Sequence, residues 1–233
     1  DEASRWVLTT AKGDTVRARY LIEAVGLLSS SYAPRFPDQD KFKGQILVSS
    51  QWPDPSPDLS GKKVAVIGTG STGIQIITAL APHVGHLHVL QRSAQWVVPL
   101  GIGPFPKEAR ERIKQDPLGF RDWALDSGTV FGFKEGTTSA LDHAPDERER
   151  RYEKAWQKGN GFSFLLETFS DITVSPEANK TATDFIKAKI DAAVTDPKIA
   201  AMLTPTDYYA RRPLAADGYY ETYNRPNVTL HDV

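Results

Sequence analysis

The chain has 233 residues, 40% of them hydrophobic, enough for one large domain or two small ones around a sizeable core. Its 28 Lys and Arg against 29 Asp and Glu leave a net charge of −1, which excludes the basic excess that nucleic acid or an anionic membrane surface demands. Cysteine is absent, so disulfides, thiolate metal sites and cysteine nucleophiles are excluded. No apolar run has the length of a membrane span and no signal peptide is evident, so a cytoplasmic protein is the expectation.

The opening residues read as a hairpin. Arg5 to Thr10 predicts one strand, Lys12-Gly13-Asp14 a turn, and Thr15 to Ala24 a second strand. A hairpin with nothing before it to cover it is marginal alone, which points to an internal piece of a longer chain. Val25-Gly26 at the strand end marks a close backbone approach, and the polar stretch from Ser29 to Pro37 reads as a crossing between domains. Ile46 to Val48 predicts a short apolar strand ahead of the Trp52-Pro53 turn, with Phe42 and Trp52 as core anchors.

The stretch KKVAVIGTGSTGIQ, Lys62 to Gln75, organises the rest. Val64 to Ile67 is a β-branched apolar run, as a parallel strand covered on both faces requires. Gly68, Gly70 and Gly73 complete G-x-G-x-x-G: a tight turn, a bare backbone facing pyrophosphate, and a close helix–strand approach. The helix N-terminus behind it offers free N–H groups and a positive dipole to phosphates. Ile74, Ile77, Leu80, Ala81 and Val84 lie at helical spacing, and Pro82 and Gly85 stop the helix. His86 to Gln91 predicts the second parallel strand. An NAD-binding fold places an acidic residue about 20 residues beyond the glycines; this chain has Gln91-Arg92-Ser93 there, and Arg92 suits a 2′-phosphate. NADP(H) is therefore expected over NAD(H). His83, His86 and His88 straddle a helix end and a strand and do not converge on one ion, so no metal is expected.

From Pro104 to Pro205 helical patterns dominate: Lys107 to Gln115, Asp146 to Lys158, Ala182 to Val194 and Lys198 to Leu203. Asp146 is the expected cap of the second, and Thr181 or Thr183 of the third. The charge run Glu147 to Arg151 reads as a solvated face. Gly218 to Asn224 predicts a short helical turn and Asn227 to Val233 a last strand. Asn179 and Asn227 each start a glycosylation pattern, which without a secretion signal is read as chance.

Four passages together resemble the Baeyer–Villiger monooxygenases, flavin-containing enzymes of the cyclohexanone monooxygenase type. They are Phe42, Gly44, Trp52 and Pro53; GTGSTGIQ; Gln91-Arg92-Ser93; and Arg211-Arg212-Pro213-Leu214 with GYYETYNRPNVTL. The resemblance implies an α/β fold: a Rossmann-like NADP-binding domain with a parallel sheet, an all-helical insertion, and a β-hairpin remnant of the FAD domain. It implies domain bounds of 1–36 (FAD-domain hairpin and linker), 37–103 and 207–233 (NADP-binding domain) and 104–206 (insertion). It implies NADP(H) contacts from Gly68, Thr69, Gly70, Ser71, Thr72, Gly73, Gln75, Arg92, Ser93, Arg211 and Trp52, and Arg212 as the catalytic residue. The implied reaction uses NADPH, FAD and O2 to insert oxygen into a ketone, giving an ester or lactone. With one glycine motif only, most of the FAD site is expected outside this chain, and the rest of the FAD domain is the expected partner. Val48 stands where the family fingerprint has histidine, and valine neither donates, accepts nor titrates. An N- or S-oxygenating relative and a non-catalytic NADP(H)-binding module remain alternatives.

Overall fold

The computed structural model describes residues 4–26, 30–101, 103–130, 132–210 and 214–233. The chain divides after Pro57 into two units.

In the first unit, strand β1 (Trp6–Thr9) pairs antiparallel with β2 (Thr15–Ala18), Trp6 opposite Ala18 and Thr9 opposite Thr15. The turn closes where the Asp14 N–H donates to the Thr10 hydroxyl at 3.1 Å and Gly13 takes φ 91°. β2 ends six residues short of the expected Ala24, and Tyr20 and Ile22 beyond it are exposed. The strand expected at Ile46–Val48 is not formed; Val48 is instead the extended N-cap of a 3₁₀ turn, Ser49–Gln51. An apolar triplet alone does not make a strand, because its backbone groups need a ladder partner. Phe42 and Trp52 are not core anchors either, at 61% and 38% exposed, and no described residue from 4 to 57 is buried.

The second unit is built on a parallel sheet. Strand β3 (Lys63–Ile67) leads through the glycine turn into helix α1 (Ser71–Leu80), and strand β4 (His86–Gln91) returns beside β3. Beyond it come strand β5 (Val97–Val98) and six helices: α2 (Lys107–Gln115), α3 (Pro117–Leu125), α4 (Pro145–Lys158), α5 (Gly161–Leu166), α6 (Pro176–Ala193) and α7 (Pro197–Leu203). Strand β6 (Leu214–Ala215) pairs parallel with β5, and β7 (Val228–Asp232) joins the far side of β4. The main sheet thus runs β3-β4-β7 with β4 central.

One face of this sheet is packed and the other is not. Leu87 and Val89 of β4 and Leu230 of β7 are buried in one core with Ile74, Ile77 and Ala81 of α1. On the opposite face Lys63, Ala65 and Ile67 of β3 are exposed, so the strand expected to be covered on both faces alternates instead.

Helix starts follow proline more than the expected caps. α3, α4, α6 and α7 each begin with Pro, whose missing N–H costs nothing in a first turn. Asp146 is therefore not the cap of α4 but lies in its first turn, where its charge favours the helix dipole. α6 begins six residues before the expected Ala182, capped by Ser175, whose hydroxyl accepts from the Ala178 N–H at 3.3 Å. Thr181 and Thr183 sit inside the helix and donate back to Ala178 and Asn179 carbonyls. Tyr152, Phe164, Phe169 and Tyr209 form the aromatic centre of the helical part.

Both asparagines of the glycosylation patterns are engaged in hydrogen bonds. Asn179, 4% exposed, donates to the Ile172 and Tyr209 carbonyls, and its own carbonyl accepts from the Tyr209 N–H. Asn227 donates to the carbonyls of Ala81 and Val84, both at 3.0 Å, closing the end of α1.

Candidate functional site

The glycine turn has a distinct reason for each glycine. Gly68 takes φ 98°, where a side chain is strained, and its N–H donates to the Leu90 carbonyl at 3.0 Å. A Cβ on Gly73 would lie 2.2 Å from the Gly68 carbonyl oxygen, so only glycine lets α1 start this close to β3. A Cβ on Gly70 would meet nothing within 4 Å, leaving that side of the turn open.

Gly70 is also the N-cap of α1. It has no side chain to satisfy the first-turn N–H groups, and that turn holds no acidic residue. Uncapped N–H groups at the positive end of a ten-residue helix are an anion cradle facing open space. Thr72 and Gln75 are exposed beside it, and Ser71 is half-buried.

The end of β4 lies against this turn. Thr69, 5% exposed, donates its hydroxyl to the Ser93 carbonyl at 3.1 Å. Arg92 and Ser93 are exposed, and Arg92 has no ion-pair partner among the described residues. The short link that carries them is held at both ends. Gln91, 2% exposed, donates through Nε2 to the Met202 carbonyl at 2.8 Å, and Trp96 donates through Nε1 to the Asp207 carbonyl at 2.9 Å. Sequence reading found the glycines, Arg92 and Ser93, but missed Gln91 and Trp96 as supports; their partners lie over a hundred residues away, beyond any local pattern.

Of the other residues implied by resemblance, Trp52 belongs to the first unit, where its Nε1 donates to the Ser56 hydroxyl at 2.9 Å. Arg211 and Arg212 lie outside the described residues. On either side of them the chain is fixed, by Asn179 at Tyr209 and by the β5–β6 pairing at Leu214.

The histidines group differently from the sequence expectation. His83 stays apart, whereas His231 of β7 joins His86 and His88 on the sheet face away from α1. His88 Nδ1 and His231 Nε2 are 3.0 Å apart with ring centres at 5.2 Å, a hydrogen bond in which one ring N–H donates to the other ring's nitrogen. His86 Nε2 meets the Thr229 hydroxyl at 2.9 Å. Burial, then the neighbouring His86 and His231, lowers the His88 pKa. Among the described residues no group of three His, Asp or Glu could hold a metal ion.

Pairs of parallel strands, a glycine turn into an uncapped helix and a basic strand end define a mixed α/β protein with an anion cradle. Residues 4–102 match the family of flavin-binding monooxygenase-like proteins. The chain is 48% identical over 233 residues to a Baeyer–Villiger monooxygenase of Pseudooceanicola batsensis, covering 100% of this chain and 43% of that protein. It is 47% identical over 225 residues to a phenazine N-monooxygenase of Lysobacter antibioticus, 97% of this chain and 41% of that one. The crystal structure of cyclohexanone monooxygenase from Rhodococcus sp. Phi1 bound to NADP+ superposes with a TM-score of 0.92 at 45% identity, over 99% of this chain and 43% of that chain. The resemblance read from the four passages is thereby borne out: the chain is similar to flavin-binding monooxygenase-like proteins and, among them, to Baeyer–Villiger monooxygenases. It spans less than half the length of the relatives it matches. Among the described residues no helix is long and apolar enough to cross a membrane.

Proposed function

We propose that this chain supplies the NADP(H)-binding part of a flavin-dependent monooxygenase that inserts one oxygen atom of O2 into a ketone, giving an ester or lactone. The observation that carries this reading is the join between the anion cradle of α1 and the exposed Arg92-Ser93, made by Thr69. The cradle suits the pyrophosphate common to both nicotinamide cofactors, and the exposed Arg92 guanidinium suits the 2′-phosphate that only NADP(H) carries. Gly68, Gly70, Gly73 and the N–H groups of Ser71 and Thr72 hold the pyrophosphate and Gln75 flanks it; Thr69 acts behind the turn, its hydroxyl donated to the Ser93 carbonyl. NADPH brings a hydride when bound; the chain's own part is to hold and orient it.

We assign Arg211 to the 2′-phosphate beside Arg92 and Ser93, Arg212 to the oxygen-transfer centre, and Trp52 to the cofactor, all by their motifs. The domain bounds 1–36, 37–103, 104–206 and 207–233, the Rossmann-like assignment, the helical insertion, and a location in the cytoplasm are likewise proposals. Residues 1–36 are assigned to a FAD domain whose main part lies outside this chain. FAD, when bound there, supplies activation of O2.

A second reading is favoured by the N-oxygenating relative, which is nearly as similar as the Baeyer–Villiger one. Product analysis of the complete protein with a cyclic ketone against an aromatic N-heterocycle separates the two. For this chain, calorimetric titration with NADP+ and NAD+ is the direct test. Preference for NADP+, lost in Arg92→Ala, is expected; equal affinities in the unaltered chain overturn the reading.

A further inference from the structure

We infer that Thr69 is a specificity-positioning residue: it sets the distance between the pyrophosphate cradle and the 2′-phosphate contacts, without itself touching the 2′-phosphate. This rests on the NADP(H) reading above. Thr69 sits inside G-x-G-x-x-G between two glycines, yet it is buried while Gly70 beside it is exposed. Its hydroxyl proton is spent on the Ser93 backbone carbonyl. That carbonyl has one other donor among the described residues, Gln95 Nε2, at a long 3.4 Å.

The link from Gln91 to Trp96 is anchored at its ends on the Met202 and Asp207 carbonyls. Between those anchors, the Thr69 bond is the tie from the glycine turn to the residue beside Arg92. The backbone bond from Gly68 to Leu90 joins the same two segments one turn earlier, before Arg92 is reached. Cutting the Thr69 tie therefore leaves the cradle in place and releases the link. NAD(H) uses the cradle alone; NADP(H) uses the cradle and the link together. A loss confined to NADP(H) is the signature of this role, whereas a collapsed turn weakens both.

The test is calorimetric titration of the chain with NADP+ and NAD+ for the unaltered form, Thr69→Val and Thr69→Ser, with thermal melts of each. Thr69→Val keeps the shape and removes the donor; Thr69→Ser keeps the donor. We expect Thr69→Val to lose roughly fivefold in NADP+ affinity, the size of one net hydrogen bond, with NAD+ affinity changed by less than about twofold. Thr69→Ser should restore the preference. Thr69→Ala provides the same comparison if the valine form does not fold. A preference for NADP+ undiminished in Thr69→Val, or equal losses for both cofactors, overturns the inference and leaves the NADP(H) reading standing. Equal affinities in the unaltered chain overturn both.

Discussion

Replacing Gly73 and Gly70 by alanine, one at a time, separates packing from ligand access within a single turn. The Gly73 methyl would lie 2.2 Å from the Gly68 carbonyl oxygen and 3.0 Å from its carbon, so α1 must move off β3. Gly68 cannot yield freely, because its N–H is bound to Leu90. Overpacking of this kind costs about 1–3 kcal/mol, and the better helix propensity of alanine returns up to about 1 kcal/mol. For a unit of this size a net loss of about 1–2 kcal/mol lowers Tm by about 2–8 °C. Gly70 has φ −74°, allowed for any residue, and its methyl would meet nothing. Gly70→Ala should melt close to the parent, since the less flexible unfolded chain offsets the poorer N-cap, each by about 1 kcal/mol or less. It should nonetheless lose roughly tenfold or more in NADP+ affinity, because the methyl occupies the space the pyrophosphate needs. Thermal melts followed by calorimetry read both effects. If Gly73→Ala melts with the parent, or Gly70→Ala binds NADP+ normally, the division of labour between these glycines is wrong.

Further expectations concern the rest of the unit. Asn227→Leu removes both donors to the Ala81 and Val84 carbonyls and should cost about 1–3 kcal/mol in a urea melt; a change within error would show that water replaces the amide. Burial holds the Tyr209, Tyr219, Tyr220 and Tyr223 hydroxyls above their usual range and pushes Tyr152 up to about 12. The unfolded chain therefore releases these protons at lower pH than the folded one, so stability is retained below about pH 10 and falls as pH rises toward 12. The phenolate absorbance of these five buried tyrosines should appear together with unfolding, and their smooth titration in the folded protein would contradict their burial. Asn179→Ala unties the Tyr209 backbone and strands buried carbonyls, and should lower Tm by several degrees, roughly 1–3 kcal/mol; an unchanged melt would deny it a supporting role.

The parts legible in the sequence were those with a local cause. The glycine turn, β4 and α7 follow from runs of adjacent residues whose spacing already specifies their geometry. The start of α6 differs from the expectation for an equally local reason: Ser175-Pro176 pairs a capping side chain with proline at the first helical position, as Asp116-Pro117 and Asp196-Pro197 also do. Ile46–Val48 and the two anchors Phe42 and Trp52 failed because hydrophobicity marks a wish to be buried, not a surface that accepts it. The Thr69–Ser93 tie, the two supports of the Arg92 link and the Asn227 clamp depend on residues brought together only by the completed fold.

The pairing of β4 with β7 has a consequence for how this unit comes into being. His86 and Thr229, neighbours across the sheet, stand 143 residues apart along the chain, and Asn227 closes on Ala81 across 146. On a ribosome, β3, α1 and β4 emerge early but wait, half-finished, until all six later helices have been made. Closing so long a span costs loop entropy before any contact repays it, so sheet completion should come late and set the pace of folding.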